Sequence, residues 1–196
     1  MRTEPSLATL AVALAICLPL ACSSTDPARL DHVTGILRQS AEHLDQDERS
    51  EIATGLLRAE HRTGVDAFLL LAVAEEESDF RARAASHRGA LGLLQIRPAT
   101  AREVARRHQI SWDGESTLLE PSTNLVIGAA YLRELRERFG SWDLALTAYN
   151  QGPTRARRLE KRGRDPSSTY AARVLKRFEF IRSEFDATID PTRASD

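Results

Sequence analysis

Three consecutive glutamates, Glu75-Glu76-Glu77, close the apolar run Ala67–Ala74, AFLLLAVA. A run with no polar face passes through the middle of a core rather than along a surface. Carboxylates at its end are costly to ionise unless paired or hydrogen-bonded. A carboxyl group that stays protonated near neutral pH for that reason is suited to general-acid chemistry. The bland alternative is an exposed acidic helix end. The helix dipole opposes three acids at a C-terminus, which makes a purely superficial role less natural. Periodicity does not choose among the three, because the preceding helix is apolar all round.

Other chemistries find less support. The five histidines (His32, His43, His61, His87, His108) are scattered, with no pair at ligand spacing, so solvated surface positions are expected and no metal. No Gly-x-Ser-x-Gly nucleophile elbow occurs. Gly89 and Gly92 are not followed by the Lys-Ser/Thr of a phosphate loop. The segment 155–164 carries six Arg or Lys against one Glu. Such runs are ordinarily solvated helix faces; the functional alternative is an electrostatic rim for an anionic polymer. Trp112 and Trp142 are core candidates first and sugar-stacking platforms second.

These groups must be positioned by helices. The 196 residues are 42% hydrophobic, 28% charged and only 6% aromatic, and Ala, Leu, Arg and Glu dominate, a composition that favours helix over sheet. A net charge of -1 gives no reason to expect nucleic acid as a partner. After a polar linker over 23–29, Leu30, Val33, Ile36, Leu37 and Leu44 recur at helical spacing. Asp45 and Asp47 can cap a helix carrying Ile52, Leu56 and Leu57 that ends before Gly64. Asp66 can cap the buried helix. Pro98 opens a helix to His108, SWDGEST is a turn-rich connection, and Pro121 opens a longer helix stopped by Gly140. Ser141 can cap Trp142 to Asn150, which Gly152 and Pro153 break. A short basic helix follows, and a final helix runs from about Ser167 to Phe185 with Tyr170, Val174, Leu175, Phe178 and Ile181 inward. No repeat, low-complexity tract or convincing strand is present. The expected fold is a single, mainly α domain.

The run Leu7–Ala21 (LATLAVALAICLPLA) is shorter than the roughly 20 residues of a spanning helix and reads as an export signal. Cys22, after Ala21 and before Ser23-Ser24, resembles the lipidated cysteine of a bacterial lipoprotein signal. Pro19 and Leu20 depart from the usual residues before it, and simple cleavage is the alternative. Ser23 suits transport to an outer membrane, again by resemblance. In either case Cys17 leaves with the signal and the folded domain has no thiol nucleophile.

Three motifs in order resemble the soluble lytic transglycosylases, bacterial enzymes with a goose-lysozyme-like fold. They are Glu77-Ser78 followed by Phe80, then Gly92-Leu93-Leu94-Gln95 with Pro98 to Ala101 behind it, then Ala148-Tyr149-Asn150-Gln151-Gly152-Pro153. The interval from Glu77 to Gln95 agrees with the family pattern without a gap. Ser86, Gly89, Pro121 to Asn124, Gly128, Tyr131, Leu132, Tyr170 and Val174-Leu175 are lesser matches. Arg81-Ala82 stands where the family commonly has Asn-Pro, which changes a loop; Leu94 stands for Met at similar volume.

The resemblance implies a lysozyme-like helical domain with a glycan-binding cleft. Residues 1–22 would be the signal, 23–46 linker and N-terminal helix, 47–185 the catalytic domain and 186–196 a frayed tail. It implies Glu77 as a single general acid/base, with Ser78, Gly92, Leu93, Leu94, Gln95, Tyr149, Asn150 and Tyr170 holding it or contacting the glycan. No cofactor or metal is implied. The expected partner is the peptidoglycan glycan strand, met by a periplasmic monomer that touches a membrane only through lipid on Cys22. A goose-type lysozyme (a hydrolase) and a non-catalytic glycan-binding lipoprotein are the alternatives.

Overall fold

The computed structural model describes residues 26–162 and 169–190. The export-signal segment with Cys17 and Cys22, the stretch around Pro166, and the last six residues of the tail lie outside them.

Each helix begins or ends on residues whose chemistry accounts for it. The first helix, α1 (Pro27–Ser40), starts inside the stretch read as linker, because Asp26 accepts from the Ala28 N–H and Pro27 fits the first turn. It stops before Leu44, which is nonetheless buried, in the connection. In α2 (Gln46–Thr63) Asp45 and Glu48 form a reciprocal capping box, and Gly64 closes the end in a left-handed conformation. Asp66 caps α3 (Ala67–Ser78). Proline occupies the first turn of α4 (Pro98–Arg107), of α5 (Pro121–Phe139) and of α7 (Pro153–Lys161). Ser141 caps α6 (Trp142–Gln151). The last helix, α8 (Thr169–Ile189), runs four residues beyond the expected end, where Phe185 packs into the core. SWDGEST enters a short 3-10 turn, Glu115–Leu119. Among the described residues no strand forms, only two isolated antiparallel pairings, Ala85 with Leu91 and Leu91 with Ile96. The mainly α reading holds.

Helix α3 is the central rod. Every residue from Ala67 to Ala74 is buried. It is flanked by α2 and α8, while α2 also packs along α5 and α5 against α6. α1 contributes Val33, Ile36 and Leu37 to the same core. Its Arg29 ties three helices together, pairing with Glu60 at 3.0 Å and Asp66 at 2.9 Å while lying 4.2 Å over the Phe68 ring. His32 is not a solvated surface histidine: its ring packs against Phe68 and Phe185, and its Nε2 donates to the Ile181 carbonyl at 3.1 Å. His108 likewise is bound, 2.8 Å from Glu134. No helix among the described residues is long and apolar enough to cross a membrane.

Candidate active site

The end of α3 separates the three glutamates. Arg177 of α8 lies 2.6 Å from Glu75. Arg173, one turn earlier on α8, grips Glu76 through Nε, at 3.0 and 3.1 Å, and through Nη2. Among the described residues Glu77 receives no cation. Its Oε1 instead accepts one hydrogen bond, 2.8 Å long, from the Tyr170 hydroxyl. Burial pushes the Glu77 carboxyl up to about 7, against the lowering effect of that hydrogen bond, and the nearby Glu76 charge adds to the rise. Burial also raises the Tyr170 and Tyr149 hydroxyls well above their ordinary value, so both remain protonated donors.

Glu77 opens on a cavity of about 470 Å³. Gln95, Tyr131, Tyr149 and Asn150 line it, and Glu77 is its one carboxyl group among the described residues. Ser86, Arg88, Arg97 and Thr100 extend the wall. Tyr131, a lesser match in the sequence, stands with its ring 5.5 Å from that of Tyr149. Thr100 and Gln151 fall within the second and third motifs, whereas Arg88 and Arg97 carried no sequence signal, since exposed polar residues in loops look alike until the fold gathers them.

The rest of the motif residues stand behind the cavity. Ser78 is buried, and its hydroxyl is directed at the Leu93 carbonyl (2.8 Å) and the Ala74 carbonyl (3.0 Å). Gly92, Leu93 and Leu94, expected to line the cleft, are buried and are not part of its wall. They form a tight turn whose base is the Leu91–Ile96 backbone pair, with N–H···O distances of 3.0 and 3.1 Å. Gln95 sits in the wall, with φ +44°, but its Nε2 is committed to the Ala84 and Gly92 carbonyls at 3.1 and 2.9 Å. The Tyr149 hydroxyl donates to the Leu94 carbonyl at 2.5 Å.

Asn124 of α5 is the hub of this turn. Its fully buried carboxamide accepts from the Leu94 N–H (2.8 Å) and donates to the Leu91 and Leu118 carbonyls (3.1 and 2.9 Å). One side chain thus satisfies three buried backbone groups from two segments. Only Pro121 to Asn124 as a lesser match hinted at it. Arg81 and Ala82, where the loop departs from the family pattern, line a different cavity beside α2. Arg81 pairs there with Asp79 at 2.9 Å. Trp112 and Trp142 pack partly buried against the core, and neither lines the Glu77 cavity.

The Tyr170 contact gives a sharp expectation. Its hydroxyl stabilises the ionised form of Glu77, so Tyr170→Phe should move the carboxyl to still higher pH. One lost hydrogen bond to a charged group is worth roughly 1.5 kcal/mol, or about tenfold in an equilibrium. A titration of Glu77 by carboxyl NMR should therefore show it moving upward in the variant; a downward move would contradict the assignment of this contact.

A helical domain built on a buried central rod, with a lone raised carboxyl group at the rod's end facing a cleft, is the lysozyme-like arrangement. Residues 56–171 match the family described as Transglycosylase SLT domain, and the chain belongs to that family. The Soluble lytic murein transglycosylase of Salmonella typhimurium is 37% identical over 120 residues, covering 59% of this chain and 18% of that protein. Membrane-bound lytic murein transglycosylase C of Cronobacter sakazakii is 35% identical over 121 residues, covering 56% and 33%. Among solved structures, an inactive glutamate-to-glutamine mutant of lytic transglycosylase Slt from Pseudomonas aeruginosa superposes with TM-score 0.64 at 29% identity. That match covers 79% of this chain and 28% of the other. The chain thus spans a third or less of each of these three proteins.

Proposed function

We propose that this chain is a peptidoglycan lytic transglycosylase that cleaves the MurNAc-β-1,4-GlcNAc bond and leaves a 1,6-anhydro-MurNAc end. The observation that carries the reading is the isolation of Glu77, whose carboxyl burial pushes up to about 7, next to two preceding glutamates that arginines neutralise. The names of the relatives support the substrate class, and the inactivity of the glutamate-to-glutamine Slt mutant supports a single essential acid.

In this mechanism protonated Glu77 donates to the glycosidic oxygen as the C1–O bond breaks. With no second carboxyl group among the described residues of the cavity, charge at C1 is taken up by the substrate's own N-acetyl carbonyl oxygen. The Glu77 carboxylate then removes the proton from the C6 hydroxyl of the same sugar, and that oxygen closes on C1. No water is consumed. The intramolecular nucleophile has a high effective molarity, which lets it outrun solvent in a closed site. Asn150 and the carboxamide oxygen of Gln95 present polar groups to the glycan, Tyr149 braces the wall through the Leu94 carbonyl, Tyr170 holds the acid, and Ser78 with Gly92 to Leu94 keep the wall in place. The name of the Cronobacter relative supports a membrane-attached, periplasmic setting, in which Cys22 would carry the lipid.

Product analysis tests the reading. Digestion of murein followed by mass spectrometry should give anhydro ends, lighter by one water than reducing ends; reducing ends alone would make the protein a goose-type muramidase. The acid must be protonated to start the reaction, so kcat/KM should fall as pH rises through about 7. A rate that climbs through that range would remove Glu77 from the role of acid.

A further inference from the structure

The basic run that the catalytic reading leaves unused is gathered by the fold into one groove. Residues Thr154, Arg157, Arg158, Lys161 and Arg162 follow the three-and-four spacing that puts them on one side of α7. Arg138, in the last turn of α5, forms the facing wall, and the groove encloses about 540 Å³. Among the described residues, five cations line it and no acid does. No ion pair involving any of the five occurs among the described residues, although ten pairs stand elsewhere on the molecule. Glu160 is the acid of α7; it is exposed and outside the groove wall. Like charges one turn apart destabilise a helix unless an anion sits between them. Arginine presents a planar fork that matches carboxylate oxygens two at a time.

The position of the groove selects its occupant. Gly152 and Pro153 are part of the wall of the Glu77 cavity, and Thr154, the very next residue, is part of the groove. The cleft and the groove therefore meet at the start of α7. Arg88 and Arg97 on the cleft wall give the path the same sign of charge. A peptidoglycan strand is uncharged along its sugars and anionic in the short peptides it carries.

We propose that the groove between the end of α5 and the exposed face of α7 is a second, non-catalytic site that takes the peptide carboxylates of the strand held in the cleft. This rests on the reading of the cleft as a murein site. The site selects peptide-bearing over peptide-free glycan and contributes to binding rather than to bond cleavage.

The test uses the full chain carrying Glu77→Gln, so that binding is measured without turnover, and two soluble ligands. One is glycan strands bearing their peptides; the other is the same strands after an amidase has removed them and the lactyl carboxylates so exposed have been capped as methylamides, so that the peptide charges alone distinguish the two. Arg157→Glu with Arg158→Glu should weaken binding of peptide-bearing strands by tenfold or more and that of stripped strands by less than twofold. Raising salt from 50 to 500 mM should erase the preference, since the charges are exposed and screened. A charge-matched control, Arg106→Glu with Arg133→Glu on other exposed surfaces, should leave the preference intact. Equal weakening for both ligands, or none, overturns the proposal. Loss of binding to phosphatidylglycerol vesicles with the strand preference unchanged would overturn it too, by making the groove a lipid-headgroup site. Anhydro products from the unsubstituted enzyme report separately on the catalytic reading, so the two ideas fail by different signatures.

Discussion

Glu77→Gln should abolish murein clearing, with kcat down by about 10²- to 10⁴-fold, the range that a positioned general acid contributes. Glu75→Gln and Glu76→Gln should retain much of the activity, because each of those carboxylates serves an arginine of α8 rather than the cavity. Equal loss from Glu76→Gln on zymograms would sink the assignment. A stability measurement separates lost chemistry from lost folding. Burial raises the Glu77 carboxyl from 4.5 to about 7, so between those values the native state binds more protons than the unfolded state. Stability contributed at this site therefore falls as pH rises through that window, by an amount on the order of 3 kcal/mol in full. The glutamine variant does not ionise. Its melting temperature relative to the parent should thus be higher at pH 8 than at pH 5, while its activity is absent at both. An inactive variant that is also destabilised at pH 8 would point to misfolding instead.

Gly92→Ala should have the largest effect on the fold. At φ +77° an L side chain is strained, and an added Cβ would overlap the Leu118 carbonyl oxygen and the Asn124 carboxamide, whose Cγ would be 2.7 Å away. Neither neighbour can retreat, because both belong to the buried Asn124 hydrogen-bond set. Left-handed strain of about 1–2 kcal/mol and overpacking of about 1–3 kcal/mol together remove a large part of an ordinary domain's stability. The melting temperature should drop by roughly 10 °C. Gly89→Ala is the control, since Gly89 has a similar φ of +73° and nothing within 4 Å of an added Cβ. It should show the strain alone, about a third of the drop. Similar losses for the two would mean that the close approach at Gly92 is relieved by a shift of the turn. Activity should fall with Gly92→Ala beyond the stability loss, because the same turn anchors Ser78 and Tyr149 through the Leu93 and Leu94 carbonyls.

Much of the helical layout was legible from local chemistry. Asp45, Asp66, Ser141, Pro98, Pro121 and the closing Gly64 and Gly140 each act within a few residues, and each stands where its type predicts. Errors occurred where distant packing outweighed local signals. Polarity over 23–29 predicts a linker, yet Asp26 and Pro27 start a helix there that the core needs. The polar sequence past Phe185 predicts a frayed tail, yet α8 continues to Ile189, with Phe185 inside the aromatic cluster. His32 looked like a surface histidine because its neighbours Phe68 and Phe185 are far away in the chain.

The division at the site follows the same rule. By itself the sequence determined that an all-apolar helix would end in three acids, and that the Glu-Ser, Gly-Leu-Leu-Gln and Tyr-Asn segments stand at the spacing of one family. Caps, breakers and motif intervals are local properties, and a single chain displays them in full. What only the tertiary structure decided is which acid lacks a cation. That depends on Arg173 and Arg177, about a hundred residues further along, reaching Glu76 and Glu75 across the α3–α8 contact while Tyr170 is left for Glu77. It also decided that Ser78 and Gly92 to Leu94 support the wall from behind, because their polar groups are consumed by each other and by Asn124. A carboxyl group's proton affinity is set by what surrounds it in space, and Glu75, Glu76 and Glu77 are alike until α8 packs against them.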